Sequence, residues 1–203
     1  MKLIISLISS LLLLSGCSTN QKTDTAPEPN ISWQKHAKNM QQLLEWDARA
    51  QVAIKANNNT QKAKMYWQQR NQQYDIAFSG PFGQSGPKLS GNQNSATLHI
   101  PKEAPLTGPN TSALLQERLG WQLPIQNAKY WILGIPSPTS ESAVLLKNER
   151  LASLTQDGWN INYVNYKAVG GNFLPSKIVI SRGDLKLLLV IYKWDINLQL
   201  AKK

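Results

Sequence analysis

The 203-residue chain contains one cysteine, Cys17, directly after Leu14-Ser15-Gly16 at the close of an uncharged apolar run that begins at Leu3. One early lysine, an apolar stretch and small residues before a cut site make an export signal. With the cut falling before a cysteine, the pattern is that of a bacterial lipoprotein. Residues 1–16 are then removed, and Cys17 becomes the first residue, carrying a diacylglyceryl group on its thiol and an acyl chain on its new amine. The run is too short for a membrane-spanning helix, which takes about 20 apolar residues. The consequence for the fold is strict. A chain with no second cysteine forms no internal disulfide and no cysteine-based metal site, so the exported domain is held by packing alone. Seven tryptophans and six tyrosines suit that task.

From Ser18 to Asn30 the chain is polar, includes Pro27 and Pro29, and shows no apolar period. Residues 17–30 read as a lipidated flexible tether, and residues 31–203 as a single domain whose length suits one core. Ser18 is not the aspartate that retains lipoproteins at the inner membrane of a Gram-negative cell. It favours sorting to the outer membrane, with the domain anchored on the periplasmic face. The formal charge is +10, and only Lys2 of the basic residues leaves with the signal. Such a balance favours anionic partners. The lysines are scattered, with no arm of the kind that binds nucleic acid, so lipid headgroups and acidic proteins are the expected partners.

Trp33, Ala37, Met40 and Leu44 recur at helical spacing, and Ser32 suits an N-cap, which predicts a helix over 32–46. The period then falls to two. Ala63, Met65 and Trp67 share one face, as do Tyr74, Ile76 and Phe78, with turn residues at Asn57-Asn58-Asn59 and Arg70-Asn71-Gln72. Ser79 to Pro87 holds two prolines and three glycines and reads as a loop with one large apolar residue, Phe82, between Pro81 and Gly83. Strands resume near 88–89 and 96–100. Short helices are expected over 112–119 and 126–133, each ended by a glycine, and strands over 151–156, 159–166, 177–181 and 185–194. The last of these is apolar on both faces, which predicts burial on both. The sum is a mainly β, α+β fold: an antiparallel sheet curved round short helices. Strong curvature can leave an apolar cavity. Strand alternation directs Trp67, Ile76, Phe78, Trp159, Ile161, Leu187 and Leu189 to the interior, and a slip of one residue would invert the assignment.

Catalytic chemistry has little support. His36 and His99 are the two histidines, and they form no metal pair at i, i+4 spacing. No Gly-x-Ser-x-Gly elbow, phosphate-cradling glycine motif or carboxylate pair is present. No catalytic residue, metal or cofactor is assigned, the covalent acyl groups on Cys17 aside, and the chain is not read as an enzyme.

Several segments together resemble the LolB family. They are Trp33 and Trp46 around the first helix, Met65-Tyr66-Trp67-Gln68-Gln69, Tyr74-Asp75-Ile76 and Gly80-Pro81-Phe82-Gly83. Gly120-Trp121-Gln122-Leu123-Pro124-Ile125 and Trp131-Ile132-Leu133-Gly134-Ile135-Pro136 follow. Gln156-Asp157-Gly158-Trp159, Tyr163, Tyr166, Leu174-Pro175, Leu185-Lys186-Leu187 and Trp194 complete the match, over about 31–196. Two positions depart from the family pattern: Ala48-Arg49 stands where Gly-Arg is common, and Pro81-Phe82-Gly83 where Pro-Leu-Gly is. The resemblance implies an incomplete antiparallel β-barrel covered by helices, with an apolar interior that takes the acyl chains of client lipoproteins. It implies a monomeric outer-membrane receptor that accepts those clients from a LolA-like periplasmic carrier, with the Pro81–Gly83 loop contacting outer-membrane lipid. The alternative is a structural envelope lipoprotein that binds cell wall or an assembly machine.

Overall fold

The structure is a computed structural model and describes residues 31–196 other than positions 57 and 121. The signal, Cys17 and the tether lie outside the described residues.

The chain opens with helix α1 (Trp33–Gln41), capped by the Ser32 hydroxyl, which accepts from the Lys35 N–H. Five residues shorter at its end than the apolar spacing predicts, α1 gives way to β1 (Glu45–Ala56), so Trp46 belongs to a strand. The cause is visible in the sequence. Trp46, Ala48, Ala50 and Val52 alternate with Asp47, Arg49 and Gln51, and the first set is buried. Period two outweighs the helical match of Leu44.

Five strands then follow as a meander: β2 (Asn59–Arg70), β3 (Gln73–Ser79), β4 (Ser85–Gly91), β5 (Ala96–His99) and β6 (Leu106–Gly108). Asn58 and Asn71 make the first turns with positive φ, a conformation that asparagine tolerates. Strand β4 starts inside the segment expected to be loop. Its Pro87 falls where the β3–β4 register shifts between Ala77 and Ser79, a bulge that needs no N–H from it. Helices α2 (Thr111–Leu119) and α3 (Ile125–Trp131) come next. A second meander closes the chain: β7 (Ser142–Lys147), β8 (Arg150–Gln156), β9 (Trp159–Val169), β10 (Asn172–Arg182) and β11 (Leu185–Ile196).

The two meanders join where β1 pairs with β11, giving one antiparallel sheet of order β6-β5-β4-β3-β2-β1-β11-β10-β9-β8-β7. Its ends, β6 and β7, do not pair with each other, so the barrel is incomplete, as expected. The helices cover the concave side, and the core lies between. Trp46 packs on Trp67 and Trp194 with ring centres 5.3 and 5.6 Å apart, and Trp131 on Trp159 at 5.8 Å.

Strand β11 departs from the expectation of two buried faces. Leu185, Leu187, Leu189 and Ile191 are buried, but Val190 and Tyr192 on the other face are 39% and 54% exposed. Arg49 pairs with Lys193 and Ala50 with Ile191, so Tyr192 is an extra residue. This bulge flips the alternation and turns Trp194 inward, where its Nε1 donates to the Pro175 carbonyl.

Candidate functional site

The interior holds an apolar cavity in two lobes that share Val52, Ile54, Ile76, Phe78, Leu123 and Ile125 as walls. The smaller lobe, about 40 Å³, is lined by apolar side chains alone, among them Met65, Trp67, Leu187 and Leu189. The larger, about 170 Å³, extends past Leu89, Leu98 and Leu115 of α2 to Gln61 and Lys62, both exposed. The sheet supplies one wall because residues two apart on β1, β2, β3 and β11 face the same side. Helix α3 and its approach supply the other.

Five of the seven residues assigned to the interior from alternation meet at this cavity: Trp67, Ile76, Phe78, Leu187 and Leu189. Trp159 and Ile161 are buried but line neither lobe. Trp159 instead packs on Trp131 and borders a separate, more polar groove beside Arg182. The cavity residues missed from the sequence are of two kinds. Val52 and Ile54 continue the β1 alternation and were legible once the strand was recognised. Leu123, Ile125, Leu98 and Leu115 come from the α2–α3 connection, the two helices and a short strand, whose orientation only the assembled fold sets.

Helix α3 is fixed by polar side chains on both flanks. Trp131 Nε1 donates to Gln156 Oε1 at 2.8 Å, and the same oxygen accepts from the Ser137 N–H at 2.9 Å. Gln156 Nε2 donates to the carbonyls of Ser137 and Ser140. The Tyr163 hydroxyl donates to the Trp131 carbonyl, and full burial pushes its pKa well up. On the other side Lys129 Nζ donates to Gln72, and Gln126 to the Asn92 carbonyl. Helix α1 is pinned to the end of α3 by buried His36, whose Nε2 lies 3.1 Å from the Leu133 carbonyl. Burial lowers the His36 pKa below its ordinary 6.5, against a smaller upward pull from that carbonyl.

Outside the barrel, Gly80-Pro81-Phe82-Gly83 forms a tight turn between β3 and β4. The Gly83 N–H donates to the Gly80 carbonyl, and the Gly80 N–H to Gln84. Gly83 takes φ +84°, which only glycine adopts at no cost. The turn leaves Phe82 89% exposed, the most exposed large apolar side chain described. It does not fold back onto the core. Among the described residues no helix is long and apolar enough to cross a membrane.

Half-open antiparallel barrels wrapped on helices form a recognised architecture. A LolA superfamily protein from Nitrosomonas europaea shares it with TM-score 0.54 at 9% identity, over 82% of this chain and 94% of that one. A DUF1329 family protein from Desulfovibrio piger does so with TM-score 0.57 at 9% identity, over 83% and 93%. Within that class the sequence is more specific. The family model described as "Outer membrane lipoprotein LolB" matches residues 44–194, so the chain belongs to the LolB family. Proteins named outer-membrane lipoprotein LolB from Pseudomonas aeruginosa and Nitrosococcus oceani are each 34% identical to it. The first match covers 92% of this chain and 93% of the relative, and the second 94% and 96%.

Proposed function

We propose that the protein is an outer-membrane-anchored receptor that accepts acylated lipoproteins from a LolA-like periplasmic carrier and passes them to the membrane. The observation that carries this reading is the apolar cavity, with its one lysine at the rim, in a chain of the LolB family. Family membership disfavours the structural-lipoprotein alternative. The acyl groups on Cys17 hold the receptor at the outer membrane, and residues 17–30 let the domain reach a carrier.

The chemistry needed is binding without catalysis. Each exposed methylene of an acyl chain costs about 0.8 kcal/mol in water, so a client crosses the periplasm only under cover. Transfer runs downhill if the receiving cavity binds the chains more tightly than the donor, and about 1.4 kcal/mol of difference gives a tenfold bias. Trp67, Ile76, Phe78, Leu187 and Leu189 supply the apolar contact, and the bilayer is the final sink. Phe82, held out by its turn between Pro81 and Gly83, enters the bilayer and couples release to insertion. This predicts that Phe82→Glu still takes a client from the carrier but delivers it to vesicles at least tenfold more slowly. A client counted by sedimentation with the vesicles checks it. Delivery at the parental rate would remove Phe82 from the mechanism.

A further inference from the structure

On the convex face of the sheet the charges are sorted by position. Cross-strand register places Lys64, Gln51, Val190 and Lys177 in one row over β2, β1, β11 and β10. The next row is Lys62, Ala53, Leu188 and Val179, and the one beyond it Thr60, Lys55, Lys186 and Ser181. Lys55, Lys62, Lys64 and Lys186 are exposed and make no ion pair with another described residue. The acids of this face within the strands, Glu45, Asp47, Asp75 and Asp195, sit towards the other end, where Asp47 is taken by Arg70 and Asp75 by Lys88. Among the described residues the lysine end carries one acid, Asp184, in the β10–β11 turn. Lys64 pairs with Ser79, the last residue of β3 before the Phe82 turn, so the free lysines lie at the Phe82 end. Beside Lys62 and Lys64, and one row from Lys55 and Lys186, runs a groove of about 450 Å³, floored by Ala53, Leu188 and Val190 and reaching Pro81.

We propose that this convex groove is a second membrane contact, which docks on anionic phospholipid headgroups. Lys55, Lys62, Lys64 and Lys186 face the phosphates, and the aliphatic floor meets the glycerol and upper acyl region. The inference rests on the reading of Phe82 as a membrane contact and extends it from one side chain to an oriented face. Three observations select a bilayer over an acidic protein. The floor is aliphatic and continuous with the Phe82 turn through Pro81. Lys55, Lys64 and Lys186 project from the side of the sheet opposite the cavity, away from the face that would receive cargo. Lys62 borders both groove and cavity, so this docking sets the cavity rim at the lipid surface, where released chains have to go.

A single-thiol probe tests it, because lipidation consumes Cys17. Full-length lipidated protein carrying Val190→Cys, labelled with a polarity-sensitive fluorophore, is reconstituted in phosphatidylcholine vesicles with or without phosphatidylglycerol. The probe is expected to enter an apolar environment when phosphatidylglycerol is present and to leave it in high salt. Each lysine near an anionic surface contributes roughly a fivefold factor, so Lys62→Gln with Lys64→Gln lowers the docked-to-undocked ratio about 25-fold. A Phe82→Cys probe separates the two readings. If the probe at 82 inserts while that at 190 stays aqueous on both vesicles, the groove proposal fails and the Phe82 reading stands. If neither inserts, both fail. Lysine variants that dock like the parent but no longer take clients from the carrier would assign the face to a protein partner and overturn the proposal.

Discussion

Gln156 shows how one side chain fixes a wall of the cavity. Its amide meets four groups, the indole N–H of Trp131, the Ser137 N–H and the carbonyls of Ser137 and Ser140. Gln156→Leu keeps the bulk and strands those partners in the core. Leaving buried donors and acceptors unmet costs about 1–3 kcal/mol each, so urea unfolding should show a loss of at least 3 kcal/mol. A loss under 1 kcal/mol would mean that water replaces the amide. His36 adds a pH dependence. Its folded pKa lies below the unfolded 6.5, so the unfolded chain binds the proton first and stability is lost as pH falls below about 6.5. Denaturation followed between pH 7.5 and 5 should show that decline, and His36→Gln should flatten it. Neither role was legible beforehand. Gln156 stood in a recognised motif and His36 on an expected helix, but a hydrogen-bond partner 19 or 97 residues away leaves no local mark in the sequence.

At the scale of elements, α2 and α3 differ in how they are held. Helix α3 carries polar ties on both flanks. Helix α2 is held to the rest of the fold by the Tyr74–Thr111 hydroxyl contact, the Ser112 bond to the Leu123 carbonyl, the Arg118–Glu103 ion pair and the burial of Leu114 and Leu115. The larger lobe, at about 170 Å³, is smaller than the roughly 300–1,000 Å³ of ordinary small-molecule sites. Uptake of an acyl chain therefore needs a wall to move, and α2 is the wall with fewest ties. Amide hydrogen exchange should be markedly faster in α2 than in α3, and addition of an acylated client should change protection in α2 first. Leu115→Trp fills the larger lobe at a cost of about 1–3 kcal/mol, and should abolish client uptake while leaving the circular dichroism spectrum unchanged. Uptake at the parental level would place the chains elsewhere. Strands β3, β8 and β11, with strong alternation, were readable from the sequence almost to their ends. Strand β2 runs beyond the 63–67 alternation on both sides, and β9 runs three residues past the expected 166. Strand β10 begins at Asn172, five residues before the expected 177, because the register shifts beside Pro175 break its alternation. Strand β7 was not readable, because Val144, Leu145 and Leu146 are consecutive apolar residues on an edge where every residue is exposed, so burial never imposed a period.

The described domain is a barrel left open, with the edge strands β6 and β7 not paired to each other and helices on the concave side. That architecture followed from the sequence as far as the curved antiparallel sheet. Alternation gives the inward face of each strand, but not whether the inward faces meet or leave space between them. The difference lies in how far the helices hold the sheet open, through contacts such as those of Leu123 and Ile125, which no strand pattern encodes. In the proposed account two faces divide the work: the concave side takes the acyl chains, and the convex side with its Phe82 turn meets the bilayer. The most direct test of the central claim is handover without membranes. Mature protein carrying Cys17→Ala is mixed with a purified complex of the carrier and an acylated lipoprotein, and the client is then located by co-purification. The account predicts that the client moves to this protein. A client that stays on a competent carrier, with this domain shown to be folded, would contradict it.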